Sequence, residues 1–423
     1  MLGFVSLVGA ASTILFGLVP ALRASAASPG DALKRGGGKL TPRKAMLRPL
    51  VAAQVSFSFM VLFVGGLLLL SFRTLITMDL GFTRTDVILA DVEAKKRTGD
   101  AVQASRQWLD AVLRIPGVRA AGLSGFALLD GNIWWTDIQP PGSAQKTQYR
   151  LLDVSPEFFD TMKMRLVDGR SFDVRDLAPK SPSVVINQAF ARLCCPGENP
   201  VGKHFWRNRD NYSVEKEVIG VVRDAKYDQL RPPGPPTVYL PLSDFGGALE
   251  VRTSVDPKLV LAGMERALDA IDPSVRVSRL RLQSTVIDDM LIPERLLAIL
   301  ATFFAAVALV LASVGLYGVL SYSVVRRRKE IGIRVALGAQ RAIVMRLVAS
   351  EIVLVTLAGL AVGLAGGWVL ARLAATMLFS VKPSDTASLA LPLGALLLAA
   401  ALAALPPALR AAQVDPMAAL REE

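Results

Sequence analysis

Residues 296–325 read LLAILATFFAAVALVLASVGLYGVLSYSVV, and no charged residue interrupts them. The cluster RRRKE follows at once, at positions 326–330. A helix of ~20 apolar residues is long enough to cross the ~30 Å hydrocarbon core of a bilayer. The stretch therefore predicts a membrane-spanning helix that ends against a basic segment at the membrane surface.

Four further apolar runs have a similar length. The chain of 423 residues is 52% hydrophobic with a mean hydropathy of +0.42, which is high for a soluble protein of this size. The apolar runs lie near both ends, whereas residues 74–293 have the composition of a soluble domain. We predict an α-helical membrane protein with five spans, at Leu2–Leu22, Leu50–Phe72, Leu296–Val325, Leu347–Leu370 and Ala387–Leu409.

The distribution of charge predicts the orientation. The net charge is +12, and the excess lies in residues 23–48 and 326–346, each with seven basic residues against one acidic residue. Basic segments beside spans are retained in the cytoplasm. Residues 74–293 are then expected on the outer side of the membrane. A nucleic-acid partner is not expected, because the basic residues flank spans and do not form a face of a folded domain.

The N-terminal run has two interpretations. Ala24-Ser25-Ala26 resembles a cleavage site, which would make residues 1–27 a signal peptide. A signal peptide carries its positive charges before the apolar stretch, whereas the first charge here, Arg23, follows it. A retained span is therefore favoured.

A short signature occurs twice. Residues 20–24 and 407–411 both read Pro-Ala-Leu-Arg-Ala, and Pro29 and Pro416 follow at the same spacing, so that every matched pair is 387 positions apart. Proline followed by arginine suits a helix that leaves the membrane at its cytoplasmic surface. We interpret the first span as the last span of one membrane unit, and residues 49–423 as a second, complete unit.

The segment between the second and third spans predicts an α+β domain in two subdomains. Strand–helix–strand patterns occur at 86–123 and again at 249–282. An insertion from Tyr149 to Pro241 has short strand patterns and Gly/Pro turns, which are typical of a small β-rich subdomain. Trp134-Trp135 is predicted in a loop, where it either packs or binds an apolar ligand or partner.

No pattern indicates catalysis, a metal or a cofactor. Cys194-Cys195 is interpreted as two ordinary small apolar residues, with a vicinal disulfide as the alternative, and His204 lacks partners at metal-ligand spacing. Gly36-Gly37-Gly38-Lys39 lacks the first glycine and the Ser/Thr of a phosphate loop, so it is predicted as a flexible basic linker. Any ATP hydrolysis is therefore expected in another polypeptide.

Several motifs resemble the FtsX-like permease family, and specifically its MacB-type ABC transporter permeases. They are GLYGVLSY at 315–322, RRRKEIGIRVALGA at 326–339, PSD at 383–385 and the 407–420 tail, together with VSPEFF at 154–159, GRSF at 169–172 and VVIN at 184–187. The chain resembles the C-terminal half of a duplicated permease. This implies an end of a preceding unit at 1–22, a linker at 23–48, a span at 49–73, a periplasmic domain at 74–293, and a permease domain at 294–423.

The resemblance also implies a mechanism and partners. In this family a separate cytoplasmic ABC ATPase docks on the loop between the second and third spans of a unit, two units pair as a homo- or pseudo-dimer, and ATPase cycles are relayed to the periplasmic domains. The loop here is 326–346, and the candidate coupling residues are Glu330, Ile331, Gly332, Arg334, Ala336, Leu337 and Gly338.

The implied function is efflux across the bacterial inner membrane, with a periplasmic adaptor or an outer-membrane channel as a further partner. One alternative is a signalling subunit that controls a cell-wall hydrolase, and another is a truncated, non-functional fragment. A basic membrane-surface anchor is the alternative role for 326–346, although the pattern from Glu330 to Ala339 exceeds what an anchor requires.

Overall fold

The structure is a computed structural model. It describes residues 42–94, 101–138, 146–178, 180–209, 212–242, 247–271, 275–337, 340–373, 378–379, 381 and 386–412. The predicted span Leu2–Leu22, the glycine-rich linker and the repeat beyond Ala412 lie outside these residues.

The described residues alternate between long helices and an α+β region. In chain order the elements are α1 Pro42–Thr77, β1 Val87–Ala94, α2 Ala101–Leu113, β2 Val118–Ser124, β3 Trp135–Ile138, β4 Thr147–Val154, α3 Phe158–Thr161, β5 Leu166–Gly169, β6 Ser183–Asn187, α4 Gln188–Cys194, β7 His204–Arg209, β8 Tyr212–Val222, β9 Thr237–Pro241, β10 Gly247–Thr253, α5 Pro257–Ile271, β11 Val275–Leu282, α6 Gln283–Met290, α7 Ile292–Arg326, α8 Arg328–Ala336, α9 Arg341–Leu373 and α10 Thr386–Ala412.

Four of these helices are long and apolar enough to cross a membrane, which confirms four of the predicted spans. Their apolar segments are Pro49–Thr77, Ile292–Arg326, Val353–Leu373 and Ser388–Ala411. The helices extend past the predicted apolar runs because a helix continues into the polar region at each end of a bilayer.

The described residues divide into two compact units. The first unit comprises residues 42–58, 310–364 and 397–412, and the second comprises residues 59–309 and 365–396. In the first unit, Gln54 Nε2 on α1 donates to the carbonyl of Leu311 on α7 at 2.7 Å. Ser56 Oγ on α1 donates to the carbonyl of Gly359 on α9 at the same distance. Side-chain hydrogen bonds between helices are a principal means of association where water is absent.

The second unit contains a mixed sheet in the order β11-β1-β10-β2-β4-β9-β6-β8-β5, with β3 paired to β4 and β7 paired to β8. The four strands β11-β1-β10-β2 come from two interleaved strand–helix–strand segments, as predicted from the sequence. Their helices α2 and α5 cover one face of these strands around buried Trp108 and Met264. The other face packs against Leu75, Phe158 and Val286.

The predicted insertion forms the other end of the same sheet. One residue pair, Ser124–Val154, joins β2 to β4. Strands β3, β4, β9, β6, β8 and β7 surround a separate core that includes Tyr149, Val238 and Phe190. Asn187 caps α4, since its side chain accepts a hydrogen bond from the Phe190 amide.

The predicted loop at Trp134-Trp135 needs correction. Trp135 begins β3 and is opposite Arg150 of β4. Both indoles stay partly exposed, and the Arg207 guanidinium lies 5.3 Å from the centre of the Trp134 ring. No strand pattern is visible in the sequence here, because β3 has four residues with little alternation.

Candidate functional site

The predicted coupling segment 326–346 is largely helical. The Ile331 amide donates to the carbonyl of Arg327 at 2.8 Å, so the turn between α7 and α8 keeps helical hydrogen bonding. The Leu337 amide donates to the carbonyl of Ile333 at 3.0 Å, which continues the helical hydrogen bonding of α8 by one residue. Residues 341–346 form the start of α9, ahead of its apolar segment Val353–Leu373.

One face of α8 and its following turn is exposed. Glu330, Ile333, Arg334 and Leu337 lie on it at the spacing i, i+3, i+4, i+7, which places them along one side of a helix. Ile333 is 49% exposed and Leu337 is 82% exposed. Two apolar side chains therefore flank a charged pair on a solvent-facing surface, the pattern by which a helix docks into a partner's groove.

The other candidate residues have different positions. Ile331 is 1% exposed, and Gly332 is also buried, so neither faces the solvent. The backbone of Ala336 is helical, whereas its side chain and Gly338 lie outside the described residues. The sequence motif thus combines exposed residues with residues that hold α8 in place. The list of candidate residues predicted from the sequence omitted Ile333, although its i, i+4 spacing to Leu337 was an available signal.

The charged pair on the exposed face is an ion pair along the helix. Arg334 Nη2 lies 2.7 Å from Glu330 Oε1, and the two side chains are 46% and 48% exposed. An exposed i, i+4 pair stabilises a helix by roughly 0.3–0.5 kcal/mol. Its main effect is therefore to orient both side chains, which leaves Ile333 and Leu337 as the apolar anchors.

The helices on both sides of α8 are fixed to α1. Gln54 bonds to α7 and Ser56 bonds to α9, as described above. A Cβ on Gly359 of α9 would lie 2.7 Å from the carbonyl oxygen of Ala52, so glycine is required for this close approach of α1 and α9. The candidate coupling helix is thus held between two helices that share one packed neighbour.

The remaining polar groups singled out in the sequence form no catalytic arrangement. His204 Nδ1 lies 3.3 Å from Glu215 Oε1, and both side chains are half exposed. Cys194 and Cys195 are free thiols with their sulfurs 3.2 Å apart, and burial raises the pKa of the Cys194 thiol. Among the described residues, no group of three or more His, Cys, Asp or Glu side chains is placed to hold a metal ion.

Candidate membrane-spanning helices on both sides of an extramembrane domain, and a charged helix between two spans, indicate a multi-pass membrane protein. Two sequence-family models match the chain. Residues 55–271, just over half of it, match the MacB-like periplasmic core domain, and residues 302–416 match the FtsX-like permease C-terminal domain. The chain belongs to the family of MacB-type ABC transporter permeases.

Curated relatives agree with this membership. The chain is 28% identical over 298 residues to the macrolide export ATP-binding/permease protein MacB of Agrobacterium fabrum, covering 64% of this chain and 43% of the relative. It is 25% identical over 291 residues to the uncharacterized ABC transporter permease YvrN of Bacillus subtilis, covering 64% and 69%. The chain spans about half the length of the MacB relatives it matches.

Solved structures of related domains also match. The periplasmic region of MacB from Actinobacillus actinomycetemcomitans aligns with a TM-score of 0.34 at 13% identity, covering 51% of this chain and 97% of that region. The extracellular domain of the noncanonic ABC-type transporter YknZ aligns with a TM-score of 0.30 at 16% identity, covering 45% and 100%.

Proposed function

We propose that this chain is the membrane subunit of an ABC-type efflux complex. In this proposal a separate cytoplasmic ATPase docks on α8, and its cycles are relayed through the membrane helices to the domain formed by residues 74–293. The observation that carries it is the exposed face of Glu330, Ile333, Arg334 and Leu337, which presents two apolar anchors beside an ion pair.

The packing of α1 supports a relay. This helix is continuous over 36 residues, about 54 Å at 1.5 Å per residue. Its first half bonds to α7 and α9, the helices that flank α8, and Leu75 near its end is buried in the core of the α+β domain. Packed helices transmit a displacement because a close-packed interior has little room for independent adjustment.

The orientation and partners follow from the same proposal. We place 23–48 and 326–346 in the cytoplasm and 74–293 in the periplasm of a bacterium, with the spans in the inner membrane. A second permease unit completes the transporter, and a periplasmic adaptor or outer-membrane channel receives the cargo. Export is favoured over signalling because the curated MacB relatives are named for macrolide export.

The test compares two leucines that are almost equally exposed. Leu337 follows α8 and is 82% exposed, whereas Leu373 ends α9 and is 75% exposed. A tagged full-length chain is purified from membranes of its own host in mild detergent, and the retained ABC ATPase is identified and quantified by mass spectrometry. We expect Leu337→Ser to lower the ATPase recovered per chain about tenfold, as expected for loss of an apolar anchor at an interface, and Leu373→Ser to leave it unchanged.

Membrane extraction and chain yield serve as the insertion control for both variants. Equal ATPase recovery with wild type and Leu337→Ser, at equal chain yield, would contradict docking on this face. An equal loss in both variants would mean that the effect is a general one on membrane packing.

A further inference from the structure

The first unit contains an apolar groove between α9 and α10. Its cavity has a volume of about 240 Å³. It is lined on α9 by Val353, Thr356 and Leu357, and on α10 by Leu397, Ala400, Ala401 and Ala404. Alanines at an i, i+4 spacing, Ala400 and Ala404, let a third helix approach the backbone closely.

One polar group in this groove has no partner. Thr356 is 3% exposed, and its Oγ1 has no hydrogen-bond partner among the described residues. A buried hydroxyl without a partner is unfavourable, and more so in hydrocarbon than at a wet surface. Lipid chains fill an apolar groove but offer no acceptor, whereas a helix with small residues exposes backbone carbonyls that accept a hydrogen bond.

The predicted first span has the residues for this contact. Gly9, Thr13 and Gly17 recur at intervals of four, which places them along one face of a helix. Such a stripe of small residues is typical of the contact face of a membrane helix. At 100° per residue Ser6 falls on the same face, whereas Ala11 and Ser12 do not.

The internal repeat gives the depth at which the two segments meet. The 387-residue offset that superposes Pro20-Ala21-Leu22-Arg23-Ala24 on Pro407-Ala408-Leu409-Arg410-Ala411 also superposes Thr13 on Ala400 and Gly17 on Ala404. Both segments run toward the cytoplasm under the positive-inside rule. If the two helices are parallel and their Pro-Ala-Leu-Arg-Ala sequences lie at the same membrane surface, their two stripes of small residues lie at the same depth in the membrane.

We propose that residues 2–22 of the same chain occupy this groove as a membrane helix. Gly9, Thr13 and Gly17 then face Ala400 and Ala404, and a backbone carbonyl of the incoming helix accepts the hydrogen bond of Thr356. The 18 residues between Arg23 and Pro42 span up to about 60 Å when extended, which suffices to return the chain from this position to α1. The inference is independent of ATPase docking.

Disulfide cross-linking in membranes tests the proposal. The full-length chain carries Cys194→Ser and Cys195→Ser, a protease site inserted at Gly37, and the pair Thr13→Cys with Ala400→Cys. The control pair is Thr13→Cys with Leu402→Cys, since Leu402 has a similar depth on α10 but is 61% exposed and does not line the groove.

After oxidation and proteolysis, the two fragments are separated on non-reducing gels. We expect the Ala400 pair to hold its fragments together at least about fivefold more often than the Leu402 pair, as a fixed helix–helix face requires. Thr356→Val keeps the volume but removes the donor, and it is expected to lower this yield about threefold, the effect of one interhelical hydrogen bond. The amount of chain in the membrane shows whether each variant inserts.

Three results would overturn the proposal. Cross-linked dimers would assign the groove to a second copy of the chain. Equal yields from the two pairs would show that the segment has no fixed face against α10. Absence of any cross-link in fully inserted protein would leave the groove to lipid.

Discussion

Glu250 occupies the middle of β10 with 0% of its residue surface exposed. Its Oε1 lies 2.5 Å from Ser124 Oγ, and Ser124 Oγ also lies 2.8 Å from the carbonyl oxygen of Phe126. A hydroxyl carries one hydrogen, and a carbonyl only accepts. If Ser124 donates to Phe126, the carboxyl of Glu250 must donate to Ser124, and it is then protonated in the folded protein.

Electrostatics favour the same state. Burial is the main cause that raises the pKa of Glu250 well above its usual value, and the neighbouring Asp91 carboxylate acts in the same direction. Only a hydrogen bond donated by Ser124 to the ionised carboxylate would act in the opposite direction. Asp91 is paired with Arg279 at 2.7 Å on the adjacent edge of the sheet. Arg252 shares the face of Glu250 on β10, but its guanidinium bonds to the carbonyls of α3.

The sign of the pH effect follows from proton binding. An unfolded glutamate ionises near pH 4.3, whereas the folded one retains its proton to a much higher pH. Between these two pKa values the unfolded state binds fewer protons, so stability is complete below pH ~4.3 and falls as pH rises toward the folded pKa. The fall is about 1.4 kcal/mol for each pH unit that lies between the two pKa values.

Glu250→Gln tests this reasoning, because it is a neutral isostere with an N–H donor for Ser124. The free energy of unfolding of the full-length protein in detergent is measured by urea titration from pH 5 to pH 8, followed by tryptophan fluorescence. We expect the variant to gain about 1.4 kcal/mol on wild type for each pH unit that lies below the folded pKa of Glu250. A difference between variant and wild type that stays constant over this pH range would show that the folded carboxyl is ionised.

Two further predictions concern close contacts in each unit. Gly359→Ala should lower the free energy of unfolding by about 1–3 kcal/mol, because its Cβ would lie 2.7 Å from the Ala52 carbonyl oxygen. Gly318→Ala is the control and should be neutral or slightly stabilising, since the space around Gly318 is open. Equal thermal shifts of the two variants in nanodiscs would contradict this prediction. Asp176→Asn should lower the free energy of unfolding by about 2–3 kcal/mol, since Asp176 is buried and accepts two hydrogen bonds from Arg170 at 2.6 and 3.0 Å. Asp173 is the N-cap of the 3-10 helix Val174–Leu177, and Asp173→Asn keeps a capping side chain, so it should cost under about 1 kcal/mol in the same urea titration. A smaller loss for Asp176→Asn than for Asp173→Asn would refute the ranking.

The parts of the fold that the sequence predicted are those with a strong local signal. The apolar run at 296–325 is long enough to identify a span, and the strand–helix–strand pattern predicted at 249–282 corresponds to β10, α5 and β11. The four-residue strand β3 had no such signal. Its position depends on pairing with β4, a contact that no local pattern records. The pairing of Ser124 with Val154 joins the two predicted subdomains into one sheet. It could not be predicted either, because pairing between distant strands leaves no local sequence pattern.

The candidate site shows the corresponding limit for function. The family motif marks Glu330, Ile331, Gly332 and Arg334 together, because a motif records which residues recur and not which direction they face. The structure separates them by exposure, since Ile331 is 1% exposed whereas the side chains of the Glu330–Arg334 pair are about half exposed. Loss of ATPase on substituting Ile331 would therefore be ambiguous between docking and the seating of α8. Loss of ATPase on substituting Leu337 would point to docking alone, because the Leu337 side chain is 82% exposed and contributes little to the packing of α8.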